Sequence, residues 1–160
     1  MIVEAKLERM GLRLPEPIAI PPGVAISFEW IRVRGDRAYV SGHSALQPDG
    51  TLEPLYGKIG RDVPYDDAYQ YARRTASSML STLKRAIGDL DRIASWNVVN
   101  GYVNALPGET KTTYAVNGFS DLILELFGPD VGAHARTAIG VEALPMNLPL
   151  VVAAQLDLKS

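Results

Sequence analysis

His134-Ala-Arg136-Thr-Ala-Ile-Gly-Val141-Glu-Ala-Leu-Pro145 sets a single arginine at the mouth of a short apolar strand. Ala, Thr, Ile and Val in that order favour a sheet, so the guanidinium either snorkels to solvent or faces a polar cleft. Its planar fork of five donors suits a carboxylate or a phosphate. Residue chemistry leaves both readings of Arg136 open, and the rest of the chain bears on the choice.

Working outward from this strand, Pro145 and Pro149 forbid a helix in the connection that follows. Leu150 to Leu158 then reads as a last strand. Its opening Leu-Val-Val-Ala-Ala lacks polar alternation, which implies helices on one face and another subunit on the other. Upstream, Thr112 or Thr113 caps a helix with apolar positions Ala115, Phe119, Leu122, Ile123, Leu126 and Phe127, stopped by Gly128-Pro129. Asn117 is expected in its first turn, free to point at an adjacent loop. Trp96 to Asn104 is β-branched and aromatic, so the strand ending near Ser41, the helix at Pro64 to Ile87 and this strand form a βαβ crossover.

The clearest helix runs from Pro64 to Ile87, with Ala68, Tyr71, Ala72, Ala76, Met79, Leu80, Leu83 and Ile87 at steps of three and four. That stripe reads as core. Phe28 to Val33 and Arg37 to Ser41 form a hairpin across Arg34-Gly35-Asp36. Ser41-Gly42-His43-Ser44 closes the second strand, and Gly42 allows a ligand or a backbone to approach closely. Gly57-Lys58-Ile-Gly60-Arg61-Asp62 lacks the glycine spacing and the Lys-Ser/Thr ending of a P-loop, so it reads as a packing loop. Residues 1–23 form a short helix and a proline-rich arm, and residues 24–160 form the main domain.

These elements predict an α+β fold: a single-layer mixed sheet with two main helices on one face. The uncovered face, carrying Trp30, Tyr39, Val99 and Val151 or their neighbours, is expected to be an oligomer interface.

Composition narrows the function. The 160 residues carry 16 Lys+Arg against 18 Asp+Glu, a net charge of −2, which lacks the basic footprint of a nucleic-acid binder. There is no cysteine, hence no thiolate nucleophile or thiolate metal site. The two histidines, His43 and His134, have no metal-ligand spacing. No apolar run reaches the roughly 18 residues of a membrane helix, and the charged N-terminus is unlike a signal peptide. A cytoplasmic protein with no membrane partner is expected.

Taken in order, Tyr39-Val-Ser41-Gly42, Gly57-Lys-Ile-Gly60, Val98-Val-Asn100-Gly-Tyr-Val103, Ala115-Val-Asn117 and Ala135-Arg136-Thr-Ala-Ile-Gly-Val with Leu144-Pro145 resemble the RidA/YjgF family, formerly the L-PSP endoribonucleases. The resemblance runs from about residue 24 to the end and is greatest to a longer branch with an N-terminal arm. It implies a chorismate-mutase-like protomer assembled as a homotrimer, with a small-molecule site in each inter-subunit cleft. It also implies hydrolysis of reactive enamines and imines such as 2-aminoacrylate, without metal or organic cofactor.

By position, Arg136 matches the family's carboxylate-binding arginine, Ser41 and Gly42 a strand-end wall, Asn117 a helix amide and Phe28 a pocket tyrosine. Val151 stands where the pattern has a water-orienting glutamate, and Ala138 where deaminating members have cysteine or another small residue. Two functions are therefore expected to compete: an imine or enamine hydrolase gripping a small carboxylate or 2-imino acid at Arg136, and a non-catalytic carboxylate-binding trimer of the same fold. Ribonuclease activity is disfavoured by the charge balance.

Overall fold

The 3.6-residue stripe of the long helix is what the sheet is laid against. The computed structural model describes residues 1–160. Helix α1 (Ile2–Arg9) is followed by the arm, β1 (Ile31–Arg34), β2 (Arg37–His43), α2 (Tyr65–Ile87), β3 (Ile93–Asn104), α3 (Thr112–Gly132), β4 (Ala135–Val141) and β5 (Leu150–Leu158). The strands lie in the order β1-β2-β5-β3-β4. β3 and β4 are parallel, as the crossover through α3 requires, and the other neighbours are antiparallel. The expected α+β class, with two main helices on one face of one mixed sheet, is the fold observed.

Tyr71, Met79, Leu80 and Leu83 of α2 are fully buried, as are Phe119, Leu122 and Ile123 of α3. Trp96 packs edge-on against Phe119 and Phe127, at ring distances of 6.1 and 5.7 Å. Helices α2 and α3 approach so closely at Gly118 that an added Cβ would lie 1.9 Å from the Tyr69 carbonyl oxygen; only glycine fits that crossing. α1 joins the same core through Val3 and Leu7.

The arm has something to lie on. Glu16 N–H donates to the Pro48 carbonyl and Ala19 N–H to that of Gly50, both at 2.9 Å, while the Ser81 hydroxyl donates to the Pro15 carbonyl at 2.6 Å. No helix is long and apolar enough to cross a membrane.

In β5, Leu150, Val152 and Ala154 are buried, while Val151 and Ala153 are half-covered, so helices cover one face of the apolar run, as expected, and a single chain leaves the other face open. One expectation shifts. Val99 is not on the open face: a register irregularity between Trp96 and Val98 turns it toward the helices, where it is fully buried. Val98, Asn100 and Tyr102 take the open side. The main segment of α3 stops at Gly128, as expected: the backbone there (φ 75°, ψ 175°) is not helical, a conformation glycine accepts, and Pro129 opens a further short turn that runs to Gly132.

Candidate functional site

Arg136 lies on edge strand β4, paired with Val99 in register. Because Val99 faces the helices, so does Arg136. Its Nη1 donates to the Ser120 hydroxyl oxygen at 3.0 Å, and Nη2 lies 3.4 Å from the Thr113 carbonyl. Both partners are on α3. No carboxylate pairs with it in any of the six ion pairs of the chain. Partial burial pushes the guanidinium pKa down from its ordinary value, with the Asp121 charge opposing that shift, and arginine remains charged all the same.

Ser120 is the residue that sequence reasoning missed. It sits 16 positions from Arg136, on the buried side of an apolar helix, where serine gives no signal. Its partners orient one another. His134 Nδ1 is 2.7 Å from the Gly132 carbonyl, so that nitrogen must carry the proton. Nε2 then accepts from the Ser120 hydroxyl at 2.8 Å, leaving the serine oxygen to accept from Arg136. Burial, reinforced by the neighbouring Arg136 charge, lowers the His134 pKa against the opposing pull of the Gly132 carbonyl, which keeps the ring neutral and the chain of bonds directed. Asn117 is half-buried on the same α3 face, four residues after Thr113 and three before Ser120, in the second helical turn rather than the first. Ala138 lies two residues along β4, its carbonyl accepting from the Thr112 hydroxyl at 3.0 Å.

The other expected residues gather elsewhere. Phe28, Ser41, Gly42 and Val151 line one cavity of about 490 Å³ beneath the arm. Ser41 donates its hydroxyl to the Glu29 carbonyl at 2.7 Å. Gly42 is required because an added Cβ would lie 2.5 Å from a Val151 methyl. The Phe28 and Trp30 rings meet edge-on at 5.0 Å, and Trp30 meets His43 at 5.3 Å. His43 lines this wall, yet it is a structural histidine: it is 2% exposed, Nδ1 donates to the Ser41 carbonyl at 2.6 Å, and burial lowers its pKa to about 4.

A second cavity on the open sheet face shares Phe28 and Ser41 and adds Asn100 and Glu29. Glu29 is the one acid lining either cavity. Lys58, the lysine of the expected packing loop, is committed to structure: its ammonium donates to Asn104 Oδ1 and to the carbonyls of Ala105 and Glu142.

Arg136, Asn117 and Ala138 thus form one corner, and Phe28, Ser41, Gly42 and Val151 form another. β3 separates β4 from β5, and Arg136 and Val151 leave the sheet on opposite faces.

The chain belongs to the RidA/YjgF family: residues 4–156 match the family described as YjgF/chorismate_mutase-like. It is 35% identical over 158 residues to Protein TCP17 of Trypanosoma cruzi, covering 99% of this chain and 95% of that one. Among solved structures it resembles Atu1372 of Agrobacterium tumefaciens, a protein of unknown function, with 29% identity, a TM-score of 0.86 and coverage of 99% and 93% of the two chains. The fold is also that of Escherichia coli TdcF, solved with bound serine, at 15% identity, a TM-score of 0.59 and coverage of 92% and 96%.

Proposed function

We propose that the protein works as a homotrimer in which Arg136 of one copy meets the Ser41–Gly42–Val151 wall of the next, and that the cleft so formed hydrolyses 2-imino acids. The observation that carries this reading is the unpaired, half-buried Arg136. It is set at an open sheet edge by Ser120, and no carboxylate of its own chain occupies it. A guanidinium held in that way is best satisfied by a ligand carboxylate. Tyr39 and Ile139, 42% and 46% exposed, supply apolar surface for a neighbouring copy. The serine held by TdcF is a ligand of the same carboxylate-bearing class.

With the carboxylate fixed, water adds across the C=N bond, its oxygen to C2 and a proton to nitrogen. The resulting carbinolamine passes its hydroxyl proton to the amine. The C–N bond breaks, and ammonia and the 2-oxo acid leave. No net proton is taken up, so positioning of substrate and water carries much of the effect. His43 does not serve as the base, since its Nδ1–H is held by Ser41 and its Nε2 lies 3.1 Å from the Thr82 hydroxyl. Glu29 is the acid available to steer the water.

A second reading is favoured by Val151, which puts an apolar side chain where the family pattern has a glutamate: the same trimer binds the carboxylate and does no chemistry. Enamine generated by a dehydratase and followed by loss of its absorbance separates the two. Acceleration over buffer that falls at least tenfold in Glu29→Gln supports the hydrolase. No acceleration, alongside calorimetric binding of 2-oxobutyrate, leaves the binding trimer. An endoribonuclease, the activity named in the family's description, is disfavoured by the chain's net charge of −2.

A further inference from the structure

The wall opposite Arg136 contains no Asp, Glu, Lys or Arg, and its one titratable group, His43, is held neutral. A carboxylate gains nothing there, so this half of the cleft must receive the uncharged part of a ligand. Its volume, about 490 Å³, lies within the range of cavities that enclose ligands of drug size. That is far more than a three-carbon enamine fills.

The lining is built as well as apolar. Met146 projects into the cavity from a left-handed backbone (φ 54°, ψ 23°), and Asn147 follows it at φ 56°. Methionine adopts that conformation rarely, and it persists only where neighbours impose it. They do so here: Gly57 N–H donates to the Asn147 carbonyl at 2.8 Å, Asn104 Nδ2 to Asn147 Oδ1 at 3.1 Å and to the Leu148 carbonyl at 3.2 Å, and Lys58 fixes Asn104 Oδ1 at 2.9 Å. A polarizable thioether is thereby aimed at a space walled on another side by the Phe28–Trp30 aromatic pair. Thioether and ring edges are surfaces that suit an aromatic or branched apolar group.

We infer that the ligand is a 2-imino or 2-oxo carboxylate bearing a large apolar side chain, aromatic or branched, whose tail enters the Phe28–Trp30–Met146–Val151 cavity while Arg136 of a second copy holds its carboxylate. This rests on the reading above and adds the substrate class. Val151 then belongs to the tail pocket, where a glutamate would be a buried charge without a partner.

Calorimetric titration of the intact protein with pyruvate, 2-oxobutyrate, 4-methyl-2-oxopentanoate and phenylpyruvate tests it. Each buried methylene strengthens binding roughly fourfold, so phenylpyruvate should bind about thirtyfold or more tightly than pyruvate. In Met146→Ser and in Phe28→Ser, both changed at surface-accessible positions, the phenylpyruvate-to-pyruvate affinity ratio should fall about fivefold or more. Equal affinity for all four acids, still dependent on Arg136, overturns the tail pocket and leaves the carboxylate grip. A ratio unmoved in both variants places the tail elsewhere and also overturns it. If no acid binds, the carboxylate reading itself fails, and the tail pocket fails with it.

Discussion

The corner at Arg136 and the wall at Val151 are made from the same sheet by opposite means. At Arg136 a charge is held by a directed chain of hydrogen bonds through Ser120 and His134 to a backbone carbonyl. At Val151 charge is excluded, and shape is set by aromatic edges, an interlocked glycine and a strained methionine. On the proposed reading, the contrast makes them two unlike halves of one site: a ligand that satisfies both has a carboxylate at one end and apolar bulk at the other, and two copies meet to hold it.

The sharpest way to break that picture is Arg136→Ala. Losing the charged partner of a desolvated carboxylate costs about 2–5 kcal/mol, so 2-oxo acid binding should fall by about thirtyfold or more, while ultracentrifugation should still find the wild-type assembly. Dissociation to monomers in this variant shows that Arg136 is structural and that the polar corner is not a ligand site.

The wall has its own signature in pH. His43 is held at about 4 when folded against roughly 6.5 in the unfolded chain. The folded pKa is depressed, so the unfolded state binds the proton first, and stability declines as pH falls from about 6.5 toward 4. The loss from this residue is about 3 kcal/mol. Urea unfolding across that range should show it, with a shallower slope in His43→Phe. An unchanged slope means that the histidine is hydrated and the wall wetter than the geometry shows.

Gly50→Ala separates the arm from the wall it roofs. An added Cβ would sit 2.1 Å from the Pro17 carbonyl, at a backbone φ of 85°, and should cost about 1–3 kcal/mol. Faster amide exchange at Glu16 and Ala19 should report it, together with a reduced preference for phenylpyruvate over pyruvate. Retained protection at both amides would show that the arm does not depend on that contact.

The smallest effect is expected at Ser120→Ala. The variant loses the hydrogen bonds to Arg136 and to His134; the loss at Arg136 costs about 1 kcal/mol, a fall of about fivefold in carboxylate affinity by titration. An affinity equal to wild type removes Ser120 from the positioning of Arg136.

How much of this was legible depends on how local each signal is. Pro64–Ile87 and Thr112–Phe127 declare themselves by period, and the arginine at the start of β4 by its isolation in an apolar strand. Val99 was placed on the wrong face because a strand irregularity flips the alternation, and nothing in Trp96-Asn-Val-Val marks it. Ser120 was invisible for a different reason: a lone serine among helix core positions gains its meaning only from His134 and Arg136, which reach it from the start of β4. The strained turn at Met146 hides likewise, since Asn104 and Gly57 impose it from outside the loop.

The sequence by itself determined the fold class, the helix stripes and the arginine, because these follow from period, turn chemistry and charge within a few residues. Tertiary structure alone decided that Arg136 and Val151 leave the sheet on opposite faces, that His43 is neutral and that the wall is free of charge. Those facts depend on strand order, register and burial, which arise from contacts between residues far apart in the chain.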